Sequence, residues 1–144
     1  MTDYILRLVF AGIIGLLAGL SITDKRNARM FALTCIGAAL ITITSTEFYK
    51  AFAGPWFSDP GRLSAQVVSA LGFIGTGLIW ISDENRVMGL SVAGTLWLTA
   101  IMGVLIGAGL HYISVTAVFI TVIIFWLVDL IIRRRILKKD SLNR

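Results

Sequence analysis

The sequence contains one cysteine, one histidine and two prolines, and only eight of its 144 residues are acidic. Each scarcity closes a class of function. Cys35 alone makes no intrachain disulfide, and with His111 as the single histidine it falls short of the four ligands of a structural zinc site. No Pro- or Ser-rich linker divides the chain, which therefore reads as one domain. Charged residues make up 15%, against about a quarter in soluble domains. Thirteen Lys/Arg and eight Asp/Glu are too few to cover a water-exposed surface, so the sequence does not read as a soluble globular monomer. What is abundant is apolar. Ala, Val, Ile, Leu, Met, Phe, Trp, Tyr and Cys make up 57%, and the 14 glycines come on top of that, which also excludes intrinsic disorder.

The few ionisable residues divide the chain into uncharged runs at 8–23, 30–46, 63–82 and 87–128. A membrane-spanning helix needs about 20 mostly apolar residues. The last run would make about 63 Å of helix at 1.5 Å per residue, twice a bilayer core of about 30 Å, so it must reverse. The reversal is expected at Gly107-Ala108-Gly109-Leu110-His111, where glycine permits a tight turn. The first run becomes long enough if Tyr4 to Leu6 join it and Arg7 snorkels to the headgroups. It lacks a small-x-small cleavage site, and so reads as a retained span and not as a signal peptide. The expectation is an all-α membrane protein with five helices, at about 4–22, 30–47, 62–81, 87–107 and 110–132, followed by a basic tail at 133–144.

Five spans segregate the basic residues. Lys25, Arg26, Arg29, Arg86, Arg133, Arg134, Arg135, Lys138, Lys139 and Arg144 fall on one side, against Arg7, Lys50 and Arg62 on the other. Cytoplasmic loops retain Lys and Arg, which places the N-terminus outside and the C-terminus in the cytoplasm. The tail then reads as a topology anchor and a contact for anionic lipid, not as a nucleic-acid site. Asp129, four residues before Arg133, is expected to pair with it.

In lipid, helices associate through small residues that let backbones approach. Gly12, Gly15 and Gly19 form such a row on helix 1, and Thr34, Ala38 and Thr42 on helix 2. On helix 4, Ser91, Thr95, Thr99, Gly103 and Gly107 recur every four residues and predict a buried seam. Helix 3 adds Ser69, Gly72, Gly75, Thr76 and Gly77. Its Gly72-Phe73-Ile74-Gly75-Thr76-Gly77 stretch lacks the preceding strand and the Lys-Ser/Thr ending of a phosphate loop, so it reads as packing too. Helix 5, rich in Val, Ile, Phe and Thr, reads as peripheral.

Few residues remain for function. Asp59-Pro60-Gly61-Arg62 opens helix 3, with Asp59 as an expected N-cap and Pro60 in the first helical position. Asp59, Arg62 and Gln66 can instead form a polar opening, since 62 and 66 share a face. Gln66 is expected to face protein or water, because an amide this far into a span is costly in lipid. Arg86 follows Ser82-Asp83-Glu84-Asn85 at the start of helix 4, where Arg29 and the two acids can join it in a cytoplasmic network. Trp97 lies mid-helix, away from the interfacial belts, as a core residue or as a partner surface. Tyr49, Phe52, Trp56 and Phe57 read as interfacial anchors, and lone His111 is an unpromising metal ligand. No catalytic constellation appears: there is no His-Glu-x-x-His motif, no second histidine and no acid pair at mid-depth. No metal site and no cofactor are expected, and a dedicated magnesium path would call for carboxylates within the spans.

Two stretches carry a family resemblance. Residues 59–77, DPGRLSAQVVSALGFIGTG, resemble the DP-x-R-x-x-AQVVSGIGFLGAG segment of the MgtC/SapB family of bacterial membrane proteins. Residues 86–100, RVMGLSVAGTLWLTA, with Gly103 and Gly107-Ala108-Gly109, resemble its V-x-GLTTAASLWVTAAxG-x-x-x-GxG segment. Asp59, Arg62, Gln66, Gly72, Phe73, Gly75, Gly77, Gly89 and Trp97 match the family pattern by position, as does Arg29 before helix 2. The chain departs from it at Gly19-Leu20-Ser21-Ile22-Thr23 and Asn27-Ala28-Arg29-Met30-Phe31, where family members carry GLERE- and GLRTH-type motifs, and at Ala70, where glycine is usual. The soluble C-terminal domain of longer relatives is not in this sequence. The resemblance implies a bacterial inner-membrane protein of about five spans, linked to low-magnesium adaptation and acting through contact with other membrane machinery such as the ATP synthase. A small cation channel or transporter, with Gln66 and the Thr/Ser rows lining its path, is the alternative. A structural subunit of a larger complex is a third reading. The expected partners are the bilayer and either other membrane proteins or further copies of the chain.

Overall fold

A computed structural model of the protein describes residues 2–22, 25–52, 59, 61–109 and 112–142; the side chains of 25–27, 125, 129 and 132–142 lie outside that description. Five helices are present: α1 Thr2–Ile22, α2 Lys25–Phe52, α3 Arg62–Thr76, α4 Leu90–Ala108 and α5 Tyr112–Leu142. Between α3 and α4 a two-stranded antiparallel hairpin, β1 Trp80–Ile81 and β2 Val87–Met88, pairs Trp80 with Met88 and Ile81 with Val87. By length and composition, three stretches of helix are able to cross a membrane among the described residues: Thr2–Ile22, Ala28–Ala51 and Leu90–Ala108.

Helices α1, α2 and α4 pack as a tight trio. Ala11, Ile14 and Ala18 of α1 meet Cys35 and Ala39 of α2, with Met102 and Ile106 of α4 and Val118 of α5 completing the cluster. Glycines set the spacing. A Cβ on Gly15 would stand 2.6 Å from the Phe31 carbonyl oxygen, one on Gly19 2.8 Å from the Ala28 Cα, one on Gly103 2.3 Å from the Cys35 oxygen and one on Gly107 2.5 Å from the Ala39 oxygen. The helix 4 row is buried from Thr95 through Thr99 and Gly103 to Gly107, and Ser91 at its start is exposed. Thr95 and Thr99 donate their hydroxyls to the carbonyls of Ser91 and Thr95, at 2.8 and 2.7 Å, which satisfies them within the helix.

Helix α3 lies against this trio through Val67 and Leu71, which meet Ala38 and Ala100. One polar contact also crosses to α2: Ser64 Oγ donates to Thr42 Oγ1 at 3.2 Å. Helix α5 is the most peripheral, burying Ser114 and Val118 and exposing Phe119, Ile120, Ile123, Ile124, Trp126 and Leu127.

The expected helix 3 of 62–81 is wrong at its end. The helix stops at Thr76, with Gly77 as its C-cap, and its 15 residues make about 22 Å, less than a bilayer core of about 30 Å. Leu78 to Ile81 are apolar enough to extend a helix on paper, but they follow Gly75 and Gly77 and enter the hairpin. Helix 4 begins at Leu90, three residues later than expected, because Gly89 at φ 80° is left-handed and ends the ribbon. α1 starts earlier, at Thr2, α2 extends beyond both expected ends over Lys25–Phe52, and α5, from Tyr112, runs on to Leu142, into the basic tail. The chain reversal follows Ala108, with Gly109 at φ 133°. Leu110, His111, Pro60, Trp56 and Phe57 lie outside the described residues, as do the side chains of the expected Asp129–Arg133 pair and of the basic tail.

Candidate functional site: a polar cluster at one end of the bundle and the exposed face of α3

At the end of the bundle that holds the α1 N-terminus, the α2 C-terminus and the α4 C-terminus, a chain of polar contacts joins all three helices. Arg7 pairs with Asp3 one turn earlier. Its Nη1 donates to the Gly107 carbonyl at 3.2 Å. Its guanidinium carbon stands 5.6 Å from the centre of the Tyr4 ring, a cation–π distance. Tyr4 in turn donates to Glu47 Oε1 at 2.7 Å, and Lys50 Nζ donates to the same oxygen at 2.8 Å. Arg7 is thus not a snorkelling residue: its side chain is only 18% exposed, and it neutralises the carbonyl end of α4, the negative pole of that helix. The sequence held a partial signal, Asp3 and Arg7 four apart and Glu47 and Lys50 three apart. Nothing in it joined the two pairs.

The α3 residues stand beside this cluster, not in it. Gly61 is the N-cap, and Asp59 sits two residues before it, accepting the Gly61 N–H at 2.8 Å through Oδ1. Asp59 therefore braces the turn without being the cap residue, because its carboxylate is taken up by its own loop. Arg62 is exposed. Gln66, expected to face protein or water, is exposed too. With Leu40, Ile41, Thr44, Leu63, Val67 and Ala70 it lines an open groove of about 390 Å³ between α2 and α3, and its amide has no hydrogen-bond partner among the described residues. Gly72 and Gly77 are exposed as well. A Cβ on Gly72 would meet nothing within 4 Å, and one on Gly77 would meet only the Ile74 oxygen of its own helix. Of these three glycines only Gly75 is buried, and a Cβ on it would stand 3.8 Å from Ala93 Cβ. Gly72 and Gly77 are thus not the close-approach positions expected, because α3 packs through Val67, Leu71 and Gly75 and leaves these two outward.

The expected cytoplasmic network does not form. Arg86 lies in the hairpin instead of starting α4; its Nε reaches Glu84 at 3.4 Å, and both side chains are exposed. Arg29 is exposed, with no ion pair among the described residues. Trp97 is 41% exposed, a surface residue of α4 and not a core one. Among the described residues no three His, Cys, Asp or Glu side chains converge on a point where a metal ion can sit.

The sequence profile of the MgtC family matches residues 6–134. The chain belongs to the MgtC family. Among relatives, the protein named MgtC in Salmonella typhimurium is 38% identical over 112 residues, 76% of this chain and 45% of the relative. An uncharacterised protein of Haemophilus influenzae is 30% identical over 117 residues, 77% of this chain and 49% of the relative. A putative magnesium transporter, YhiD of Escherichia coli K12, is 38% identical over 66 residues, 46% of this chain and 30% of the relative. This MgtC-family chain therefore spans about half or less of the length of these relatives. No solved structure matches it. Family membership and its apolar helices make it a membrane protein.

Proposed function

We propose that this MgtC-family chain is a multi-pass protein of the bacterial inner membrane that serves magnesium homeostasis or low-magnesium adaptation by binding and regulating membrane partners. One observation carries the reading. The Gln66 amide is exposed in the open groove between α2 and α3, while the hydroxyls of Thr95 and Thr99 inside the bundle are satisfied by their own helix. A path for ions through the bundle needs the opposite arrangement, polar groups turned inward around space. The α2–α4 seam instead closes to backbone contact at Gly103 and Gly107. The test is recovery of partners from native membranes in mild detergent, together with growth of a deletion strain at low magnesium. A specific co-purifying membrane protein and impaired growth are expected; an isolated chain and normal growth overturn the reading.

The name of the Escherichia coli relative, a putative magnesium transporter, favours a second reading in which the chain carries a cation. Magnesium flux into liposomes holding the purified chain, reduced by Gln66→Leu, would support transport in place of partner binding.

A further inference from the structure

Helix α5 runs beside α1 in the same direction. Its Val118 packs with Ala11, Ile14 and Ala18, and further along Val122, Ile123 and Trp126 line an open groove of about 280 Å³ with Leu17, Ala18 and Ser21. The groove lies near the end of the apolar stretch Thr2–Ile22, which is long enough to cross a membrane. Ser21 donates its hydroxyl to the Leu17 carbonyl at 3.0 Å, so the α1 side of the groove offers no unmet polar side chain. Such a lining suits hydrocarbon. Trp126 is 61% exposed and is the residue type that settles at the membrane–water boundary.

The end of the bundle that the groove approaches is basic. Residues 23–29 and 129–142 hold eight Lys or Arg against three Asp. Helix α2 starts at Lys25, three residues after α1 ends at Ile22, and α5 continues unbroken from Trp126, reaching Arg133 about 10 Å further along its axis. Arg29 stands beside the end of α1, because its neighbour Ala28 packs on Gly19. Its side chain is exposed, with no ion pair among the described residues.

We infer that the α1–α5 groove is a binding site for an anionic glycerophospholipid, with an acyl chain in the groove and the phosphate at the basic end. The two features select the occupant together. The groove alone accepts any acyl chain, and the basic stretches alone attract any anion. An anionic lipid carries both parts, a tail and a phosphate at its head, in one molecule, and basic residues next to a span recognise such headgroups. The inference stands apart from partner binding, since it needs only that the chain lies in a bilayer.

Tryptophan quenching tests it, with the full chain in phosphatidylcholine vesicles that contain either phosphatidylglycerol brominated on its acyl chains or phosphatidylcholine brominated in the same way. The brominated phosphatidylglycerol is expected to quench more strongly. That excess should disappear in Trp126→Phe, which removes the reporter, and persist in Trp97→Phe, whose tryptophan is on α4. Ser21→Phe fills the groove from the α1 side and should abolish the excess while helix content by circular dichroism stays at the parent value. Arg29→Gln is expected to reduce the preference for phosphatidylglycerol by roughly fivefold, the effect of one basic residue near a membrane surface. Equal quenching by the two lipids overturns the inference. So does an excess that survives both Trp126→Phe and Ser21→Phe, or one lost equally in Trp97→Phe, because either result places the anionic lipid outside the groove.

Discussion

Arg7 Nη1 and the Gly107 carbonyl oxygen, 100 residues apart in sequence, meet at 3.2 Å and fasten the start of α1 to the end of α4. The bond engages a carbonyl that the α4 helix leaves without an internal partner, and it carries a full positive charge to the negative end of the helix. The same guanidinium holds Asp3 and lies near the Tyr4 ring, so one side chain serves three neighbours.

Arg7→Ala is expected to lower stability by about 1.5–3 kcal/mol, the range for a hydrogen bond to a charged group. Arg7→Lys should lose less, because an ammonium keeps the charge but lacks the fork that reaches Asp3 and Gly107 together. Thermal unfolding in detergent measures both. An Arg7→Ala chain that unfolds at the parent temperature would show that the contact contributes nothing.

The glycines of this chain are not equivalent, and alanine separates them. Gly103→Ala and Gly107→Ala drive a methyl to 2.3 and 2.5 Å from backbone oxygens of α2, where only a shift of the whole helix relieves the clash. Each should cost about 1–3 kcal/mol, as overpacking does. Gly72→Ala and Gly94→Ala meet nothing within 4 Å and sit inside helices, so they should be neutral or stabilising by up to about 1 kcal/mol. The same unfolding measurement ranks all four, and equal losses would contradict the packing.

That contrast shows what the sequence discloses and what it hides. The row Thr95, Thr99, Gly103 and Gly107 was legible because a four-residue period of small side chains has one structural use in lipid. The glycines of α3 follow a similar pattern, yet Gly72 and Gly77 face outward, since periodicity identifies a face without saying what covers it. Leu78 to Ile81 were read as helix because apolar runs of this length do not distinguish a strand from a helical turn. Gln66 was expected to face protein or water on the rule that polar groups avoid lipid, a rule that does not say which of the two, and the structure leaves it exposed. The Arg7 cluster depended on the register between α1, α2 and α4, for which no local pattern exists.

At Gly89 the backbone itself demands glycine. At φ 80° an added Cβ would lie 1.8 Å from the Leu78 oxygen and 2.9 Å from the Trp80 ring. Gly89→Ala is expected to open the hairpin, at about 1–3 kcal/mol for a strained backbone. Trypsin reads this directly, because Arg86 is exposed at the hairpin: cleavage after Arg86 should accelerate in Gly89→Ala and not in Gly94→Ala. Equal cleavage rates would mean that the hairpin tolerates the change.

Whether α3 crosses the bilayer is decided by the two segments that flank it. Its 15 residues span about 22 Å, which falls short of the hydrocarbon core, so crossing requires a locally thinned bilayer or a contribution from the hairpin. Trp80, Ile81, Val87 and Met88 are all exposed and apolar, which suits a ribbon seated at the interface, where water still reaches its outer backbone groups. Lys50 at the end of α2 and Asp83 in the hairpin, separated by α3 alone, are then on opposite sides, with Asp83 on the side rich in Lys and Arg. A membrane-impermeant maleimide should label Lys50→Cys in intact spheroplasts and Asp83→Cys only after permeabilisation. Labelling of both from outside would mean that α3 does not cross, and the reverse pattern would invert the orientation.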